Sequence, residues 1–180
     1  RDAAGSNVAV VIERNVCDYE HEHEHETIHR ESKMKAIIIG AGRGARLMPH
    51  TADAPKCFAE VKGKRILDWG LEALASAGLD DVVYIGGYRI EMVREAYPHF
   101  TFCHNADWEN NNILESLMHA ADHMDDGFVC AYSDILYTPQ IVQELVRSPH
   151  EMTLVCDTDW RARYVARTDH PENDGEKIKR

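Results

Sequence analysis

The densest chemistry of this 180-residue chain lies in Gly40-Ala41-Gly42-Arg43-Gly44-Ala45-Arg46-Leu47, followed by Thr51 and then Pro55-Lys56. Three glycines in five positions let backbone N–H groups approach an anion closely, and Arg43, Arg46 and Lys56 add full positive charge. Such a loop suits a polyphosphate. Glycines alone fit an ordinary strand-to-helix turn with solvent-facing arginines just as well; the three basic residues and Pro-Lys weigh against that simpler reading. The dinucleotide fingerprint GxGxxG/A is formally matched by Gly40, Gly42 and Ala45, but it needs a helix of several turns starting here, which Pro49 and Pro55 interrupt. An ATPase P-loop needs Gly-Lys-Ser/Thr five residues after its first glycine, where Ala45-Arg46-Leu47 stands instead. An extended, basic loop remains.

The elements that position this loop are legible from periodicity. Ala36–Ile39 is a short apolar run ending at Gly40, the pattern of a buried parallel strand feeding a turn. Val82–Ile85, Phe100–His104, Phe128–Tyr132 and Met152–Cys156 are further strands. Between them, Ile66–Ala77, Ile90–Tyr97, Ile113–His123 and Thr138–Arg147 space their apolar residues for helices, with Gly78 past the end of the first and Pro139 in the first turn of the last. Alternating strands and helices predict an α/β domain with a mostly parallel sheet covered on both faces. Ligands in such sheets bind beyond the carboxyl ends of the strands. Chemistry is therefore expected at 40–56, 86–89, 104–112 and 133–137.

Composition bounds the partners. A net charge of −11 argues against a nucleic-acid binder with a broad basic face, so an anionic ligand must be held by local positive groups. No run approaches the ~18 apolar residues of a membrane span. The first residues lack a basic start and a long apolar block, so no secretory signal is visible. Five cysteines, Cys17, Cys57, Cys103, Cys130 and Cys156, form no CxxC pair and suit a reducing cytoplasm as small buried groups.

Residues 1–33 differ from the rest, with four Lys/Arg against eight Asp/Glu and the run EHEHEHE at 20–26. His21, His23 and His25 would line one side of an extended strand, a spacing that lets imidazoles share zinc or nickel; a solvated low-complexity tail is the blander reading. Because Met34 opens the first apolar strand, 1–33 is expected to be a disordered extension outside a folded domain at 34–180.

The glycine loop with its Arg-Leu, threonine and Pro-Lys resembles the signature of the nucleotidyltransferase superfamily that activates sugar 1-phosphates and phosphocholine. The similarity runs from about Met34 to about Asp159 and matches the N-terminal part of that family's catalytic domain, which usually continues well past this point. The resemblance implies a three-layer α/β/α, GT-A-like (Rossmann-like) fold in which Gly40, Ala41, Gly42, Arg43 and Gly44 wrap a nucleoside triphosphate and Arg46 and Lys56 balance its charge. Gly87 and Tyr88, after the second strand, are similar to the family's G-Y turn beside the base, although an ordinary glycine turn explains them equally. Asn110–Asn112 with Glu115-Ser116-Leu117 resembles the segment of phosphocholine cytidylyltransferase-like members that brings Asn112 and Ser116 near the nucleotide, while a helix N-cap at Asn112 explains part of the run. Asp134 matches the aspartate that binds Mg²⁺; a turn-forming aspartate is the alternative.

The implied reaction transfers NMP from an NTP, CTP or another, to a phosphorylated small acceptor such as phosphocholine, an aminoalkyl phosphonate or a sugar 1-phosphate. Trp160 and Tyr164 could face a quaternary ammonium, or they could pack in the core or a lid. A non-catalytic nucleotide-binding module and an NAD-binding oxidoreductase domain are the competing classes.

Overall fold

The computed structural model describes residues 8–13, 34–44, 51–124 and 127–165. Its centre is a six-stranded sheet built from β1 (Val8–Glu13), β2 (Lys35–Gly40), β5 (Val82–Gly86), β6 (Thr101–His104), β7 (Phe128–Tyr132) and β8 (Met152–Cys156), in the order β6-β5-β2-β7-β1-β8. Between β2 and β5 lie a two-stranded hairpin, β3 (Glu60–Val61) and β4 (Lys64–Arg65), and helix α1 (Ile66–Ala75). The other helices are α2 (Ile90–Ala96), α3 (Ile113–Met118), α4 (Pro139–Val146) and α5 (Trp160–Tyr164).

Strands β6, β5, β2 and β7 pair in parallel, as the short apolar runs predict. Their registers align Gly40 with Gly86, Gly86 with His104 and Ile39 with Tyr132, so four carboxyl ends finish along one edge. Ala36, Ile38, Val82, Tyr84, Val129 and Ala131 face α1, α2 and α4 on one side of the sheet. Ile37, Ile39, Val83, Ile85, Phe128 and Cys130 pack on the other with Ala120 and Leu117. Full burial of an Ile such as Ile38 stabilises by about 2–3 kcal/mol, so the two layers supply a stiff platform for the loops.

Three local expectations are corrected. The stretch 113–123 is not one helix: α3 ends at Met118, where i→i−3 bonds from His119 to Ser116 and from Ala120 to Leu117 tighten the turn, and a separate 3₁₀ turn spans Ala121–His123. The hairpin β3–β4 was not expected; Lys62 and Gly63 both take positive φ, 56° and 76°, as a two-residue type I′ connection requires. Residues 8–13, placed outside the domain by the bulk composition of 1–33, form a strand lying antiparallel between β7 and β8. The local run VAVVI is β-branched and apolar, and it outweighs its acidic surroundings. Residues 14–33, with the histidine-rich run, lie outside the described residues.

Candidate functional site

The edge where β2, β5, β6 and β7 end gathers the loops that the sequence marks for chemistry. Leaving β2, the described chain is irregular over Ala41–Gly44. Gly42 and Arg43 are exposed, and nothing lies within 4 Å of the position a Gly42 side chain would take. Gly44 has φ +69°, and a Cβ there would come within 2.8 Å of Lys56 Cβ and Cδ. Lys56 is therefore laid along the glycine loop. Pro55, extended at φ −65°, delivers it into a 3₁₀ turn, Lys56–Phe58, which the β3–β4 hairpin ties to α1 through Ile66 N–H donating to the Ala59 carbonyl at 2.9 Å.

Lys56 Nζ donates to Asp134 Oδ2, with the two side chains 31% and 26% exposed. Asp134 stands just past the end of β7 and the lysine comes from a separate loop, so the fold brings together two residues 78 positions apart. The pair is half-buried, so its charges are felt more strongly than a surface pair yet stay within reach of a ligand.

Tyr88 binds both described arms of the loop. Its N–H donates to the Ala41 carbonyl at 2.9 Å and its hydroxyl to the Ala52 carbonyl at 2.6 Å, while its ring sits 5.4 Å from the Arg43 guanidinium. Thr51, buried, donates its hydroxyl to the Gly44 carbonyl at 2.9 Å, and Arg89 pairs with Asp53 at 3.7 Å. Gly87 is needed because Trp108 Cγ lies 2.6 Å from where its Cβ would be; Trp108 also packs edge-on against Tyr88, centroids 5.5 Å apart. Sequence reading passed over Trp108, whose one signal is its position in the loop after β6.

Behind this wall, Asn105, fully buried, donates its Nδ2 to Ser116 Oγ at 2.9 Å and to Asn111 Oδ1 at 3.0 Å, and accepts from Asn111 Nδ2 at 2.8 Å. Ser116 is 6% exposed and spends its hydroxyl inside that network. Asn112 caps α3 by accepting from Glu115 N–H at 3.0 Å, the alternative the sequence left open. Both residues thus brace the site's wall in this structure. Trp160 is also buried, with Arg161 over its ring, which favours the packing reading for it. Tyr164 closes α5, and its side chain lies outside the described residues, as does all of Arg46.

Under the loop, Cys57 and Tyr84 are buried together; desolvation pushes the thiol up to about 11 and raises the phenol well above its ordinary value, so both stay neutral at physiological pH. Among the described residues no three His, Cys, Asp or Glu side chains converge as a metal cage. Asp134 is a partly exposed hard oxygen donor, which fits Mg²⁺: that ion commonly takes one or two carboxylates and fills its remaining positions from phosphate and water. No described helix is long and apolar enough to cross a membrane.

With this geometry in view, known proteins give a consistent match. The family model of the MobA-like NTP transferase domain matches residues 36–170. The chain is 34% identical over 155 residues to the CTP:phosphoglutamine cytidylyltransferase of Campylobacter jejuni, covering 81% of this chain and 61% of that protein. It is 28% identical to the UTP–glucose-1-phosphate uridylyltransferase of Haloferax volcanii, covering 71% and 56% respectively. Among solved structures, CTP:phosphocholine cytidylyltransferase from Streptococcus pneumoniae superposes with a TM-score of 0.51 at 25% identity, over 60% of this chain and 50% of that one. The chain thus spans between half and about three fifths of the length of these three relatives.

Proposed function

Because the chain belongs to the family of MobA-like NTP transferase domains, we propose that it carries the donor half of a site that transfers NMP from an NTP, most naturally CTP, to a phosphorylated small acceptor. The observation that carries this reading is Lys56, stretched along Gly44 with its ammonium on Asp134. A cation and a candidate metal-binding acid are thereby held against each other beside the glycine loop, where a triphosphate would lie.

In the proposed reaction an acceptor phosphate oxygen attacks the α-phosphorus in line; the bond from that phosphorus to the bridging oxygen of the β-phosphate breaks, and pyrophosphate leaves. No protein nucleophile is needed. Loop amides at 42–44 orient the phosphates, Arg43 and Lys56 neutralise charge as it shifts to the leaving group, and Arg46 adds to that charge by resemblance to the family. Asp134 would hold Mg²⁺, which supplies Lewis-acid neutralisation of the phosphates when bound. Binding of the triphosphate would take Lys56 from Asp134 towards the phosphate and free the carboxylate for the metal. A cytoplasmic setting, where NTPs and Mg²⁺ are abundant, belongs to the same proposal.

The donor is favoured as CTP by the cytidylyltransferase matches, and the acceptor stays a class, because the relatives' own names span an amino-acid derivative, a sugar and choline phosphate. The test is to incubate the chain with each NTP, Mg²⁺ and a panel of phosphorylated acceptors while following pyrophosphate. Mg²⁺-dependent release with one NTP is expected; tight NTP binding without release for any pair would leave the non-catalytic nucleotide-binding reading in its place.

A further inference from the structure

Tyr84 lies on β5, one strand in from the β6 edge of the sheet, fully buried in an otherwise aliphatic strand, and its hydroxyl reaches three neighbours. It donates to the Gly40 carbonyl at 3.3 Å, lies 3.4 Å from Cys57 Sγ, and hydrogen-bonds the Ser133 hydroxyl. A phenol has one donor and two acceptor positions, so these partners use its capacity fully. Each partner is next to a different part of the site in the chain: Gly40 opens the glycine loop, Cys57 follows Lys56, and Ser133 precedes Asp134. Ser133 is itself held to the end of β2, its N–H donating to the Ile39 carbonyl at 3.0 Å.

The space is fully taken. A side chain at Gly40 would collide with the Tyr84 hydroxyl and would come within 2.8 Å of Ser133 Oγ, so glycine is required here by this polar knot, independently of any ligand. The three loop roots cannot shift independently while the hydroxyl links them. In a buried, low-dielectric setting such a satisfied network is rigid, because breaking any link strands a polar group.

We infer that the Tyr84 hydroxyl is a positioning group for the proposed transfer, setting Lys56 and Asp134 in register with the glycine loop without touching the nucleotide. The inference rests on the reading of the site as a nucleotidyltransferase centre. Misplacement of reacting groups by about 1 Å commonly costs up to a hundredfold in rate, so Tyr84→Phe, which removes one oxygen and keeps the ring, is expected to lower kcat by about ten- to a hundredfold. The KM for NTP should stay within about threefold. Ser133→Ala, which cuts the knot from the other side, should reproduce the split, and Tyr137→Phe, which removes a partly buried phenol oxygen outside the knot, should not.

A second readout needs no turnover. With lysines converted to ¹³C-dimethyl-lysine, the Lys56 resonance, assigned by its loss in Lys56→Arg, should move in Tyr84→Phe and Ser133→Ala as it does in Asp134→Asn, and stay in place in Tyr137→Phe. If the unaltered chain released no pyrophosphate with any substrate pair, the transferase reading would fail, and the lysine resonance would still decide whether Tyr84 positions the pair. An unmoved Lys56 resonance in both knot variants overturns the inference, as does turnover within twofold of the unaltered chain.

Discussion

Strands β2, β5 and β7 are buried along nearly their whole length, and their carboxyl ends release the loops that form the site; β8, at the far edge, alternates between half-buried and exposed. Register through β1 places Leu154 across from Cys130 and Met152 across from Phe128, so these β8 residues extend the same face of the sheet. On that face Phe128 and Cys130 are buried, whereas Met152 and Leu154 are 64% and 40% exposed. Covered parallel strands hold loop roots to the sub-ångström tolerances that charge neutralisation needs, and a strand covered on one face only has no such duty. The candidate site sits where packing is complete.

The sharpest break of this contrast is at the site itself. Lys56→Ala and Asp134→Ala should each cut pyrophosphate release by about a hundredfold or more, while circular dichroism and the thermal midpoint stay near those of the unaltered chain, because a half-exposed pair contributes little to folding. Near-normal turnover in either variant would sink the proposed site.

Alkaline titration probes the covered strands next. Burial raises Cys57 to about 11 and Cys130 to about 12, above the free thiol at 9. The unfolded chain therefore loses these protons first as pH rises, so their stabilisation is complete below pH 9 and declines above it, by about 1 kcal/mol from each by pH 10. Urea midpoints measured from pH 8 to 10 should fall accordingly, with a smaller fall in Cys130→Ala. Over the same range a thiol reagent should label exposed Cys156 well before Cys57.

The smallest effects compare the two flanks directly. Ile38→Val, inside the covered sheet, should cost about 1 kcal/mol, whereas Leu154→Ser, on the exposed face of β8, should change stability by about 0.5 kcal/mol or less. Equal costs in urea melts would show that β8 is packed as tightly as the centre.

The covered half of the fold was the legible half. Runs such as Ala36–Ile39 and Val82–Ile85 announce buried parallel strands because both faces need apolar side chains, and Gly40 and Gly86 mark where they stop. Strand β1 was missed because an apolar run of five residues was weighed with the acidic tract around it, and the β3–β4 hairpin because Lys-Gly is a weaker turn signal than Asn-Gly. At the site, Lys56, Asp134, the glycines and Tyr88 were legible as charges and turns beyond strand ends. Asn105 and Tyr84 were not, since a buried polar side chain earns its role from partners far away in sequence. Ser116 was expected near the nucleotide by resemblance, and nothing in its motif reveals that its hydroxyl meets Asn105 and Asn111.

The placement of β1 has a consequence for any shorter version of this chain. Because Val8–Glu13 is wedged between β7 and β8, among the described residues β8 joins the main sheet's hydrogen-bond ladder only through it. A polypeptide started at Met34 would lose more than a peripheral ribbon: the backbone of β7 would gain an unpaired rim, and β8 would be left adrift from its neighbour, secured mainly by its contacts with α4. The segment that looks most dispensable by composition is the shim that keeps the last strand attached.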